Sequence, residues 1–134
     1  NFLLTMRRLM RERPELKIVA DQIGAPTWCR GIADATAQVL AQVSSPFAGA
    51  DKPEPWGVYH MTNGGETSWH GFAQAILDLD VPESPACLLP IPSSEYPTPA
   101  KRPLNSRLNN DKLQRVFGVH LPDWQVALRL CMAG

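Results

Sequence analysis

The residues of this chain whose types and spacing suit ligand binding fall on two loops and one helix start. Gln22, Pro26 and Thr27 stand on the stretch Asp21-Gln22-Ile23-Gly24-Ala25-Pro26-Thr27-Trp28. Arg102, Asn105 and Arg107 stand on a second polar bend, and Asn1 with Phe2 opens a helical run. Gln22 brings an amide donor and acceptor, Thr27 a hydroxyl, and Trp28 a broad ring with one N–H. Apolar surface with a few placed hydrogen-bonding groups suits a polar, ring-bearing ligand such as a nucleotide. An arginine fork beside an amide suits a diphosphate, because it pairs bidentately with phosphate oxygens. A helix start with free backbone N–H groups favours an anion. Taken singly, the same residues serve equally as turn formers, surface charges or a strand-to-helix connector.

A self-contained catalytic constellation is not visible. His60, His70 and His120 are scattered, with neither a His-x-x-x-His spacing nor paired carboxylates, so a metal site is not expected. Ser68, Ser93, Ser94 and Ser106 lack a nucleophile-elbow context. Gly64-Gly65 lacks the Gly-x-Gly-x-x-Gly spacing of a dinucleotide turn and comes late in the chain. No residue stands out as a general acid or base.

The elements that must position these groups follow from periodicity. Phe2, Leu3, Met6, Leu9 and Met10 fall on one helical face, with Arg7, Arg8 and Arg11 opposite as a solvated face, and Pro14 ends the helix. Leu16 to Ala20 reads as a strand leading into the Asp21–Trp28 loop, which Gly24 and Pro26 keep irregular. A second amphipathic helix begins near Ile32 and carries Thr36, Val39, Leu40 and Val43. Residues 44–55, with Pro46, Gly49, Pro53 and Pro55, read as a surface linker. Gly57 to Met61 has the pattern of a short buried strand, followed by a turn at Asn63-Gly64-Gly65. Thr67 or Ser68 caps a third helix with Trp69, Phe72, Ala73, Ile76 and Leu77 on its core side. From Val81 to Pro103 recurring prolines impose an extended segment with a strand-like Cys87-Leu88-Leu89. Asn109 or Asn110 caps a short helix stopped by Gly118, and a last helix starts at Pro122 with Trp124, Ala127, Leu128 and Cys131 as its stripe.

Composition narrows the class. Thirteen basic and thirteen acidic residues balance, so no overall field draws the chain to nucleic acid or to a membrane. No apolar run reaches the roughly 20 residues of a membrane-spanning helix. Cys29, Cys87 and Cys131 are odd in number and far apart, which fits a reducing cytoplasm better than a disulfide framework. The length suits one domain, and a start at Asn1 directly in a helix suggests a fragment of a longer chain.

Read in order, these landmarks resemble the C-terminal part of the dTDP-4-dehydrorhamnose reductase family, extended short-chain dehydrogenase/reductases. The resemblance rests on Asn1-Phe2 opening a helix, Asp21-Gln22-Ile23-Gly24-Ala25-Pro26-Thr27 and Gly64-Gly65-Glu66-Thr67-Ser68-Trp69. It continues through Ser94-Glu95-Tyr96-Pro97-Thr98-Pro99-Ala100, Arg102-Pro103-Leu104-Asn105-Ser106-Arg107-Leu108 and Leu121-Pro122-Asp123-Trp124. The family reduces the keto group of dTDP-4-dehydro-L-rhamnose with NADPH or NADH, through a Rossmann domain and a smaller lobe that binds the nucleotide sugar. The resemblance implies an α/β fold: residues 1–134 as the C-terminal substrate-binding lobe, with short strands and about five helices, lacking most of the Rossmann sheet. It implies a dTDP-sugar as ligand and no cofactor bound by this fragment. Asn1, Gln22, Pro26 and Thr27 would border the substrate cleft, with Arg102 and Asn105 nearby. The alternative reading, from a different class, is a non-catalytic regulatory or interaction module related to reductases, similar to the β-subunit of methionine adenosyltransferase. Without a Rossmann partner, the faces Phe2/Met6/Leu9 and Ile32/Leu40/Val43 would be bare and would drive homo-oligomerisation.

The family's glycine-rich turn and Tyr-x-x-x-Lys pair have no counterpart here, since Tyr59 is followed four residues on by Asn63 and Tyr96 by Ala100. In the family the tyrosine, its pKa lowered by the lysine, donates the proton to the carbonyl oxygen as hydride arrives. The purified chain is therefore expected not to oxidise NADPH in the presence of the dTDP-keto sugar; turnover in a spectrophotometric assay would contradict it.

Overall fold

The computed structural model describes residues 1–44 and 55–134, and the expected linker lies largely outside them. The chain divides into two compact units, Asn1–Gly24 with Glu66–Arg107, and Ala25–Gly65 with Leu108–Gly134.

The first unit is built on a parallel strand pair. β1 (Glu15–Val19) runs beside β4 (Cys87–Ile91) with Glu15 opposite Cys87 and Val19 opposite Ile91. Parallel neighbours need a long crossover, and here α3 (Trp69–Leu79) packs on the pair together with α1 (Phe2–Glu12). The core is Met6 and Met10 of α1, Leu16, Ile18 and Val19 of β1, Ala73, Ile76 and Leu77 of α3, and Ile91 of β4. Thus the predicted apolar face of α1 is covered at Met6 and Met10 and is not bare. The arginine face is only partly the solvated surface its pattern implied. Asp80, closing α3, accepts from Arg7 Nε at 2.6 Å and from an Arg11 NH2 nitrogen at 2.7 and 2.8 Å, tying the two helices together. Those hydrogen bonds, Arg11's foremost, hold the Asp80 carboxyl below its ordinary range. Arg8 forms an ion pair within the helix, with Glu12 one turn on, and Arg11 also donates to the Arg7 carbonyl at 2.8 Å.

Ser68 caps α3, its hydroxyl accepting from Gly71 N at 3.0 Å, as its side-chain type predicts. Just before it, β3 (Thr67–Ser68) pairs antiparallel with β2 (Ile23–Gly24).

The second unit is helical. α2 (Cys29–Val43) begins three residues before the sequence signal, because Trp28 takes the cap position ahead of the first apolar repeat. α4 (Asp111–Phe117) stops where Gly118 turns left-handed at φ 66°, and α5 (Trp124–Ala133) follows. Ala35, Leu113, Phe117, Val119 and Leu121 form its core, with Val39, Tyr59 and Met61 packed against it. Residues 57–61, expected as a buried strand, form none: Val58 is 80% exposed while Tyr59 and Met61 pack against the unit's core. Their alternation reflects one-sided packing on the unit's core, with no neighbouring strand among the described residues to complete a ladder. Gly64 makes a two-way bridge to the start of α5, donating to Pro122 O and accepting from Trp124 N, both at 3.0 Å. A Cβ there would lie 2.6 Å from an Asp123 carboxylate oxygen, which explains the glycine.

Among the described residues no helix is long and apolar enough to cross a membrane, and no three His, Cys, Asp or Glu side chains gather as a metal site. Ile76 is fully enclosed in the first unit, so Ile76→Ala is expected to cost about 2–5 kcal/mol. Urea unfolding followed by circular dichroism measures it; a loss below about 1 kcal/mol, the range of an exposed-site change, would contradict that core.

Candidate functional site

The first unit carries the denser of the predicted ligand groups, and their positions follow from strand register. Because Val19 lies opposite Ile91, Asp21 and Ser93, each two residues beyond, emerge side by side. Asp21 accepts from Ser93 N at 2.9 and 3.0 Å with its two carboxylate oxygens and from the Ser93 hydroxyl at 2.5 Å. These bonds from Ser93, the hydroxyl's first and the backbone's second, hold the Asp21 carboxyl below its ordinary range. The Ser93 oxygen in turn accepts from Gln22 Nε2 at 2.9 Å, and Gln22 Oε1 accepts from Trp69 Nε1 at 3.2 Å. The Trp69 ring leans on Phe2 with centroids 4.8 Å apart, and Phe2 stacks on Phe72 at 5.5 Å. Trp69 is 45% exposed. Its expected place on the core side of α3 is therefore only half right: the ring packs on Phe2, but its indole N–H is spent on Gln22.

Ile23 is gripped from both sides. It pairs with Ser68 on β3, while its N–H donates to Leu104 O and its carbonyl accepts from Ser106 N, each at 2.8 Å. This double pairing puts Asn105 beside Ile23, next to Gln22 in the chain. Asn105 Oδ1 accepts from Arg107 N at 3.1 Å and Arg107 Nε at 2.9 Å, and Arg107 also pairs with Glu66 at 2.6 Å. The expected arginine fork is thus half committed: Arg107 braces the bend. Arg102 is exposed and makes no hydrogen bond or ion pair among the described residues. At Asn1 the side chain itself caps α1, accepting from Leu4 N at 3.0 Å, so one of the backbone donors expected to await an anion is already satisfied.

Pro26 and Thr27 belong to the second unit. There Asn63, 3% exposed, donates through Nδ2 to Pro26 O at 2.8 Å and through its backbone N–H to Thr27 Oγ1 at 3.2 Å, while Thr27 donates to Ala25 O at 3.0 Å. Trp28, also in this unit, has the Arg30 guanidinium 5.8 Å from its ring.

Of the six predicted residues, the structure puts Asn1, Gln22, Arg102 and Asn105 in the first unit, with Gln22 and Asn105 on paired segments, and Pro26 and Thr27 in the second. Sequence reading missed Asp21, Ser93 and Asn63 as partners of these groups. Ser93 lies 72 residues from Asp21, so no local periodicity could join them. The signal that could have found them is the strand register, extended two residues past each strand.

Gln22 and Asn105 carry amides and Arg102 an uncommitted guanidinium, groups whose chemistry suits hydrogen bonding or ion pairing with a polar ligand. The first unit offers a two-stranded parallel pair whose loops contain no glycine-rich turn, and Gly64, in the second unit, is taken up by its bridge to α5.

Comparison with known proteins bears on what that ligand is. The family described as RmlD substrate binding domain matches residues 1–134. A dTDP-4-dehydrorhamnose reductase of Burkholderia thailandensis is 51% identical over 98% of this chain and 46% of its own length. A crystal structure of a dTDP-4-dehydrorhamnose reductase ortholog from Clostridium acetobutylicum superposes with TM-score 0.85, at 31% identity, over 99% of this chain and 43% of that one. The Bacillus anthracis reductase, solved in complex with NADP, gives TM-score 0.80 at 30% identity over 96% of this chain and 41% of that one. The chain therefore spans less than half the length of these relatives.

Asp21→Asn is expected to lower stability at neutral pH, because an amide cannot accept the Ser93 bonds with two oxygens as a carboxylate does. The Asp21 carboxyl is depressed in the folded state, so its contribution is full above the unfolded-state value and is lost as pH falls through the folded one. The gap between the original chain and the variant should therefore close as the pH drops well below the ordinary aspartate range. Denaturant unfolding across that range tests it, and a gap unchanged by pH would contradict it.

Proposed function

This chain belongs to the RmlD substrate binding domain family, and from that premise we propose that it is the nucleotide-sugar-binding portion of a dTDP-4-dehydrorhamnose reductase. Relatives from Burkholderia thailandensis and Shigella flexneri that match along nearly its whole length carry that name. Within the first unit, the observation that supports the reading best is the pairing of Ile23 with Asn105, which brings the segment carrying Gln22 alongside the segment carrying Asn105 and the uncommitted Arg102. Two amides suit the hydroxyl and carbonyl groups of a base or sugar, and a free guanidinium suits a diphosphate. Asn1 at the head of α1 is assigned to the same ligand-binding role in the first unit, and Pro26 and Thr27 are assigned a ligand-binding role within the second unit.

In the complete enzyme the reaction is reduction of dTDP-4-dehydro-L-rhamnose to dTDP-L-rhamnose by a nicotinamide cofactor. The NADP bound to the Bacillus anthracis relative supports NADPH as that cofactor. The cofactor supplies the hydride, and no residue of this chain is assigned to that transfer. The part of this chain is to bind and orient the sugar nucleotide, so it is inactive alone. Its place is the cytoplasm, where nucleotide sugars are made.

Self-association is part of the same reading. α2 leaves Ile32 37% and Leu40 56% exposed, whereas the α1 face is largely covered. Light scattering is expected to show an oligomer that Leu40→Glu returns toward monomer; a monodisperse monomer at high concentration would refute it.

Titration with dTDP or dTDP-rhamnose is expected to change tryptophan fluorescence through Trp69 or Trp28. Arg102→Ala should weaken binding about tenfold or more, the scale of a lost charged hydrogen bond, and Asn105→Ala about 2- to 10-fold. Binding unchanged in both variants would remove this segment from the site.

A further inference from the structure

Gln22 is held more tightly than a ligand-contacting amide needs for packing alone, and each bond in its chain has a forced direction. An ionised Asp21 carboxylate can only accept, so Ser93 must give it its hydroxyl proton. The Ser93 oxygen is then left as an acceptor, and the group reaching it must be the Gln22 NH2. The indole of Trp69 can only donate, so it demands the Gln22 carbonyl oxygen. Carboxylate at one end and indole at the other leave the amide a single orientation, with no alternative flip that satisfies both. The depressed Asp21 carboxyl keeps the charged end charged across the neutral range.

Counting valences shows what this leaves over. Gln22 Nε2 has two hydrogens and uses one on Ser93; Oε1 has two lone pairs and uses one on Trp69. Gln22 is only partly buried. Resting on the nucleotide-sugar reading above, we propose that Asp21 and Ser93 are positioning residues that lock the Gln22 carboxamide so that it offers a ligand one N–H and one carbonyl lone pair side by side. The complementary ligand group is an adjacent acceptor and donor. The imide edge of a pyrimidine base has that pattern, and so does a pair of neighbouring hexose hydroxyls. A freely rotating glutamine would bind such a group less well, because ordering the side chain costs free energy at the moment of binding.

Two arms test this on the 134-residue chain. The first needs no ligand. The Gln22 side-chain amide and the Trp69 indole N–H give separate NMR signals, and Ser93→Ala is expected to shift both while leaving the Trp28 and Trp124 indoles in place. Ser93→Thr, which keeps the hydroxyl, should restore the original signals. Gln22 and Trp69 signals unmoved by Ser93→Ala would overturn the proposal.

The second arm is a double-mutant cycle on affinity for dTDP and, separately, dTDP-rhamnose. Ser93→Ala and Gln22→Ala should each weaken binding about 2- to 10-fold, and the double variant should be no weaker than Gln22→Ala alone. An effect already present with dTDP assigns the imide edge; one seen only with dTDP-rhamnose assigns the hexose hydroxyls. A Ser93 of merely structural importance would lower stability and add its effect on binding to that of Gln22→Ala, and additivity overturns the proposal. If the original chain binds neither ligand, the nucleotide-sugar reading falls while the NMR arm still decides whether Ser93 orients Gln22.

Discussion

A carboxylate that can accept but not donate sets the polarity of the first unit's polar surface. Asp21 accepts the Ser93 backbone N–H, shared between its two oxygens, and the Ser93 hydroxyl, and every further link inherits its direction from that choice. Ser93 accepts from Gln22, Gln22 accepts from Trp69, and the Trp69 ring rests on Phe2 at the head of α1. The network ties the ends of both parallel strands to both helices that cover them. Its members come from four segments distant in sequence, so it forms only when β1 and β4 are in register.

A second tie works on the same two helices from the other end. Asp80, closing α3, gathers Arg7 and Arg11 of α1. The groups are partly exposed, so solvent screens the pairs and their stabilisation is modest. Their consequence is chiefly geometric. A shared acceptor limits how far α1 can slide along α3, and with it the Phe2–Trp69 contact on which Gln22's partner rests.

The Asp21–Trp28 loop shows how one short motif can serve two units. Its first half is fastened by Ser93 and by the pairing of Ile23 with Ser68 and Asn105. Its second half is fastened by the buried Asn63, which holds the Pro26 carbonyl and the Thr27 hydroxyl. Each unit thus fixes its own part of the loop with a polar side chain from a remote segment.

What the amino-acid sequence determined by itself was whatever depends on neighbours in the chain. The 3.6-residue repeat of Met6, Leu9 and Met10, the Ser68 cap and the Gly118 stop are local, and each appears where its residues call for it. The order of quoted motifs sufficed for the family, because motif identity survives without knowing what each side chain touches. Gln22 and Asn105 have amide side chains whose hydrogen-bonding capacity is readable from residue type alone. What only the tertiary structure decided was which groups remain free. Arg107 is committed to Glu66 and Asn105 while Arg102 is not, and Asn1 spends its side chain on its own helix. Residues 57–61 alternate like a strand yet find no strand partner, since alternation records one-sided burial and is blind to what lies on that side. Asp21 and Ser93 meet because two strands align, and register is a property of the pair that neither segment encodes alone.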